Sequence, residues 1–209
     1  NKLRTENNID CTQANISINA GAKMSINLAL MSILDPGKSQ EVVVPTPAWV
    51  SYKPMIELAG GTMVEVPTTV ETHFKCTPEE IEAAITPETK MIYCESVSNP
   101  LLEVADIKAL SALAKKHNLQ LVVDNTFSPL SISPVQFGAD IVLHSLTKFI
   151  NGSSDTMGGV VCGTSEFVNS QKSVIDGASM LLGSSMDSLR SASILKNMRT
   201  LHIRMKQHS

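Results

Sequence analysis

The chain has 209 residues, 43% of them hydrophobic and 18% charged, with a formal net charge of −3, a balance suited to one sizeable core. That charge, with a pI near 6.0, gives no electrostatic reason to expect nucleic acid or an anionic membrane as a partner. No apolar stretch approaches the roughly 20 residues that cross a bilayer, and the polar opening NKLRTENNID has neither a signal-peptide nor a transit-peptide pattern. The expected partner is therefore a small molecule and the expected location the cytoplasm.

The first element in chain order is a helix. In GAKMSINLALMSILDPG, Met24, Leu28, Met31 and Leu34 recur at helical spacing, and Pro36 and Gly37 form a stop signal. EVVVPTP reads as a strand, AWVSYKPMIELAGG as a helix ended by Gly60 and Gly61, and TMVEVP as a second strand. TPEEIEAAI predicts a capped helix start, with Thr77 as N-cap, Pro78 at the first helical position and Glu80 completing a capping box. KMIYCES, LQLVVDNT, ADIVLHS and GGVVCG read as strands. DIKALSALAKKHN, capped by Asp106, and TSEFVNSQKSVI read as helices, and a long helical run follows Ser184. Near-continuous apolar strands alternating with helices predict an α/β fold, a mostly parallel sheet with helices on both faces, from about residue 41 to about residue 163. Cys11, Cys76, Cys94 and Cys162 are widely spaced with no C-x-x-C pair, so neither a metal site nor a disulfide framework is signalled.

Ligands of such sheets bind at the carboxyl ends of the strands. There the sequence places Thr46 to Trp49, Ser96 to Asn99, Asp124, and His144 to Lys148. A lysine ending a buried strand is costly to desolvate as a cation, and covalent amine catalysis gives it a use. Pyridoxal phosphate needs a lysine for its aldehyde, a carboxylate facing its ring nitrogen, donors for its phosphate and a flat group against its ring. Lys148 is the candidate catalytic residue, joined to the aldehyde as a Schiff base, and Asp124 the candidate for the ring nitrogen. Ser145, Thr147 and the amides of the Gly21-Ala22-Lys23 helix start are candidates for the phosphate, since a helix N-terminus offers free N–H groups and a favourable dipole. Trp49 could stack on the ring and Asn99 donate to its hydroxylate.

Each has a plainer role beside it. Lys148 could be a surface lysine, Asp124 the cap of the DNT turn, and Ser145 and Thr147 partners of local backbone. Trp49 could be core, Gly21 to Lys23 an ordinary helix start, and Asn99 a turn residue before Pro100. His117 and His144 have no partner by spacing and read as structural.

From about Ala84 onward, AAITPETKMIYCESVSNPLLEVADIKALSALAKKHNLQLVVDNTFSPL and GADIVLHSLTKFINGSSDTMGGVVCG resemble the cystathionine gamma-synthase and methionine gamma-lyase family of pyridoxal phosphate enzymes. The motif carrying the resemblance is S-x-T-K at Ser145 to Lys148, with D-N-T-F at Asp124 to Phe127 upstream. The first part, through NNIDCTQANISINAGAKMSINLALMSILDPG and PTPAWVSYKPMIELAGG, is similar to class I aspartate aminotransferase, where G-A-K amides bind phosphate and the tryptophan of WVSY stacks on the ring. The chain thus reads like two related fold type I large domains joined near residues 85 to 90.

The resemblance implies a large domain over residues 1–183, a helix over 184–209 leading toward a small C-terminal domain that is absent, and assembly as a homodimer or homotetramer. It implies an amino-acid substrate and elimination or replacement at its beta or gamma carbon. An aminotransferase and a cofactor-binding chain without turnover are the alternatives. Two departures stand out: Ser153 follows Gly152 where the gamma family has histidine, and Phe127 stands near the aminotransferase tyrosine position. The arginine that grips the substrate carboxylate in both families has no counterpart here by motif.

Overall fold

The computed structural model describes residues 11–208; the polar opening over residues 1–10 lies outside the described residues. Each β-branched or aliphatic run becomes a strand: β1 (Ile16–Asn19), β2 (Glu41–Thr46), β3 (Thr62–Pro67), β4 (Thr89–Glu95), β5 (Gln120–Asp124), β6 (Ile141–Ser145) and β7 (Gly159–Cys162). They form one sheet in the order β1-β7-β6-β5-β4-β2-β3. The pairs from β3 to β6 are all parallel, while β7 runs antiparallel to both β6 and β1. The sheet is therefore mostly parallel, as expected. It also starts earlier than expected: ISIN, too short and polar to stand out, adds an edge strand at residue 16.

Among the described residues eight α-helices flank the sheet: α1 (Ala22–Ile33), α2 (Tyr52–Leu58), α3 (Pro78–Ala83), α4 (Ile107–Lys116), α5 (Ser165–Ser170), α6 (Ala178–Leu182), α7 (Ser188–Asn197) and α8 (Leu201–His208). The Thr77–Glu80 capping box forms as its spacing predicts, and Asp106 caps α4 through the Ala109 amide at 3.0 Å. Two segments are less helical than their patterns suggest. AWVSYKPMIELAGG becomes helical only at Tyr52, and TSEFVNSQKSVI stops after Ser170, leaving Ile175 88% exposed. The run after Ser184 tightens to one 3-10 turn at Met198–Thr200 between α7 and α8.

Alternation along the strands divides the core. Val42, Val44, Tyr93, Val122 and Leu143 pack beneath Ile26 and Leu30 of α1 and Ile56 of α2. Val43, Ile92 and Val123 point the other way, against Ile81 of α3 and Leu110 and Leu113 of α4. A third cluster beds Ile194 of α7 and Leu201 and Met205 of α8 on Leu146, Ile150 and Val160.

The start of α1 is fixed from two directions. The Ala20 amide donates to the Ser184 carbonyl (2.9 Å), and the Arg190 guanidinium donates to the Ala20 carbonyl (3.1 Å). From the sheet, β7 approaches so closely that a Cβ on Gly159 would lie 2.3 Å from the Gly21 carbonyl oxygen; only glycine allows that packing.

Candidate active site

Parallel strands β4, β5 and β6 end side by side, and their last residues are Glu95, Asp124 and Ser145. Above them is a cavity of about 300 Å³ whose lining includes Ala22, Trp49, Asn99, Asp124, Ser145 and Lys148. Segments far apart in sequence thus bring six of the nine sequence-predicted residues to one space. Of the other three, Gly21 directly precedes Ala22, and Lys23 holds its Nζ 5.3 Å from the centroid of the Trp49 ring, a cation–π contact. Thr147 turns toward backbone: its hydroxyl accepts the Gly158 amide (3.1 Å) and reaches the Gly158 carbonyl (3.3 Å).

Lys148 sits in a single wide turn, Leu146–Ile150, that leaves β6 and breaks from helical geometry at Lys148 itself (φ −90°, ψ −121°). The far side of that turn is clamped by Arg204 of α8. Its guanidinium donates to the carbonyls of Phe149, Ile150 (3.0 Å) and Asn197 (3.3 Å). Gly152 closes the turn at φ +74°, with the Arg204 guanidinium where a Cβ would stand.

Asp124 is 9% exposed. Oδ1 accepts both the Thr126 amide (3.0 Å) and the Thr126 hydroxyl (2.6 Å), and Thr126 Oγ1 in turn accepts the Ser145 amide (2.8 Å). Among the described residues, the hydrogen bond to Oδ2 is that of the Tyr52 hydroxyl, at 3.4 Å. Burial pushes the Asp124 carboxyl above the usual range, and Thr126 first, then the nearby Tyr52 and Tyr93 hydroxyls, pull it back. Glu95, on the neighbouring strand, accepts the Tyr52 hydroxyl (2.8 Å) and the Asn99 amide (2.8 Å). Its carboxyl is also raised, first by burial, with the two hydrogen bonds opposing and the Asp124 charge adding. Burial holds the Tyr52 phenol well above its ordinary value, so it stays a donor. Tyr52 packs edge-on against Trp49 with ring centroids 5.5 Å apart.

Tyr52, Glu95 and Thr126 are part of this site, yet no role follows for them from the sequence. Glu95 immediately precedes the Ser96–Asn99 stretch, so its strand-end position was the available signal. Among the described residues no group of three or more His, Cys, Asp or Glu could hold a metal, and no helix is long and apolar enough to cross a membrane.

A family model described as Cys/Met metabolism PLP-dependent enzyme matches residues 7–209. The chain belongs to that family. Among curated proteins, the cystathionine beta-lyase MetC of Staphylococcus haemolyticus is 44% identical over 134 residues, 62% of this chain and 33% of that protein. The chain thus aligns with about a third of the length of this relative. Among solved structures, a Thermus thermophilus aspartate aminotransferase mutant superposes with a TM-score of 0.81 at 27% identity, over 98% of this chain and 59% of that one. A Xanthomonas oryzae cystathionine gamma synthase gives 0.75 at 31% identity, over 90% of this chain and 47% of that one. Both likenesses fit the fold type I large domain, and the Cys/Met metabolism enzymes are pyridoxal phosphate-dependent. The donor set here fits that cofactor: a buried carboxylate with one oxygen short of donors, an exposed lysine, an indole and an uncapped twelve-residue helix start share a cavity sized for one substituted ring.

Proposed function

We propose that this chain is the cofactor-binding part of a pyridoxal phosphate-dependent lyase or transferase acting on a sulfur amino acid, with Lys148 as the covalent anchor. The observation that carries the reading is the meeting of Lys148, Asp124 and the start of α1 at one cavity. When bound, the cofactor supplies an electron sink for the bonds at the substrate's alpha carbon. The residues here hold and orient it. Asp124 Oδ2 would accept the ring N–H, Trp49 would lie against the ring, and Asn99 would donate to the ring oxygen. Ala22 and its neighbours Gly21 and Lys23 would offer amides to the phosphate at a helix start whose N-cap glycine has no side chain, with the Ser145 hydroxyl on the same cavity; the Thr147 hydroxyl would have to leave the Gly158 backbone to join them. Lys148 Nζ would hold the cofactor aldehyde and, as a free amine, would be the base for the substrate's alpha proton. The name of the 44%-identical relative supports cystathionine-type chemistry, and a homodimer or homotetramer is the proposed assembly. An aminotransferase is the second reading, favoured by the superposition across 98% of the chain.

The test is an absorption spectrum of the purified chain with pyridoxal phosphate, beside Lys148→Ala, before and after borohydride. The expected result is a band that requires Lys148 and is irreversibly reduced. Identical spectra for the two proteins overturn the assignment. Thiol release from cystathionine or methionine, against amino transfer to 2-oxoglutarate, then separates the two readings.

A further inference from the structure

The Tyr52 hydroxyl lies between two carboxylates on adjacent strand ends, 2.8 Å from Glu95 Oε1 and 3.4 Å from Asp124 Oδ2. A phenol has one proton to give. The shorter separation is an ordinary O–H···O bond and the longer one is not, so the proton belongs to Glu95. The remaining acceptors are occupied: Glu95 Oε2 takes the Asn99 amide and Asp124 Oδ1 takes both Thr126 donors. Asp124 Oδ2 is thereby the one carboxylate oxygen of the pair with no donor at normal length among the described residues.

We propose that Glu95 and Tyr52 are positioning residues for Asp124: Glu95 draws the Tyr52 proton to itself and so keeps Asp124 Oδ2 open toward the cavity for a ring N–H. The proposal rests on the role given to Asp124 above. The Glu95 charge has a second effect, since a like charge beside Asp124 strengthens the field that holds a proton on the ring nitrogen. Asp124 is also faced by Tyr93 and Cys94 of β4, while Lys148 lines the same cavity from the turn after β6. Tyr93 and Cys94 feel both carboxylates electrostatically, while the Tyr52 hydroxyl lies within 2.8 Å of one and 3.4 Å of the other.

The experiment is carbon-13 NMR titration of the Asp124 carboxyl in the cofactor-free chain, the signal being identified by its loss in Asp124→Asn. Glu95→Gln removes a like charge and frees the Tyr52 proton, so the Asp124 midpoint moves to lower pH. Tyr52→Phe removes the donor assigned to Glu95, so the Asp124 midpoint stays at or below its wild-type value. That pair of results supports the proposal; a Tyr52→Phe midpoint above the wild-type value, which would show the phenol donating to Asp124, overturns it, and so does an unmoved midpoint in Glu95→Gln. Should Tyr52→Phe not fold, 3-fluorotyrosine at position 52, a stronger donor of the same shape, lowers the midpoint more in Glu95→Gln than in the wild type, and equal effects overturn the proposal. The nitrogen-15 shift of ring-labelled pyridoxal phosphate then moves toward the unprotonated value in Glu95→Gln. A chain that fails to bind the labelled cofactor refutes the cofactor reading, while the cofactor-free titration still decides the Tyr52–Glu95 arrangement.

Discussion

At His144, burial decides the protonation state. Its Nδ1 is sealed from solvent with no hydrogen-bond partner among the described residues, and burial lowers the pKa from 6.5 to about 4 against a backbone hydrogen bond with Asn125 that raises it. Between those values the unfolded chain binds a proton that the native protein does not, so this residue's contribution to stability is lost as pH falls from 6.5 through about 4. His144→Leu is expected to flatten that acid limb by on the order of 2 kcal/mol, allowing for the residue's partial exposure. Urea melts across the pH range check it, and an unchanged limb refutes the assignment. The same scale shows which parts of the site a sequence can reveal. Lys148 and Asp124 were legible because each is a charged residue ending an apolar run. The Tyr52–Glu95 bond joins residues 43 positions apart and the Tyr52–Asp124 approach spans 72; no local pattern encodes either.

Among the elements, α8 stands outside the cavity but holds Phe149, one of its lining residues. Arg204 gathers carbonyls from the Lys148 turn and from Asn197 at the end of α7. An arginine serving several carbonyls leaves each of them unsatisfied when it is removed, at about 1–3 kcal/mol in all. Arg204→Ala is expected to lower stability by that amount and to speed amide hydrogen exchange at Asn151 and Gly152, whose amides close the turn on Leu146 and Lys148. Exchange rates equal to wild type at those positions would show that the clamp does not hold the turn. Elements with their own punctuation, such as α3 with Thr77, Pro78 and Glu80, were readable in place. β1 was not, because it takes its strand character from pairing with β7 near the other end of the chain. The final helices were readable as helix, but the packing of Ile194, Leu201 and Met205 on the Lys148 turn depends on tertiary proximity that spacing alone does not carry.

For the whole molecule, the apolar residues of the final helices divide into two sets. Ile194, Leu201 and Met205 are buried, while Leu189 is 83% and Leu195 67% exposed. Exposed apolar side chains of this kind favour association. Light scattering is expected to show a mass that rises with concentration, and the double variant Leu189→Asp, Leu195→Lys is expected to reduce that rise; a monomer at every concentration refutes the expectation. The seam at the start of α1 has a further consequence, for the order in which the protein becomes competent. Ala20 is held by Ser184 and Arg190, and Asn19 bridges to Ser185. During synthesis, α1 leaves the ribosome among the first elements, but the backbone that aims its leading amides waits for residues made more than a hundred positions later. Contacts of such long sequence separation form late, so the parallel strands can assemble around their own core before the anion-binding end is set. Cofactor capture would then mark the completion of folding rather than guide its beginning.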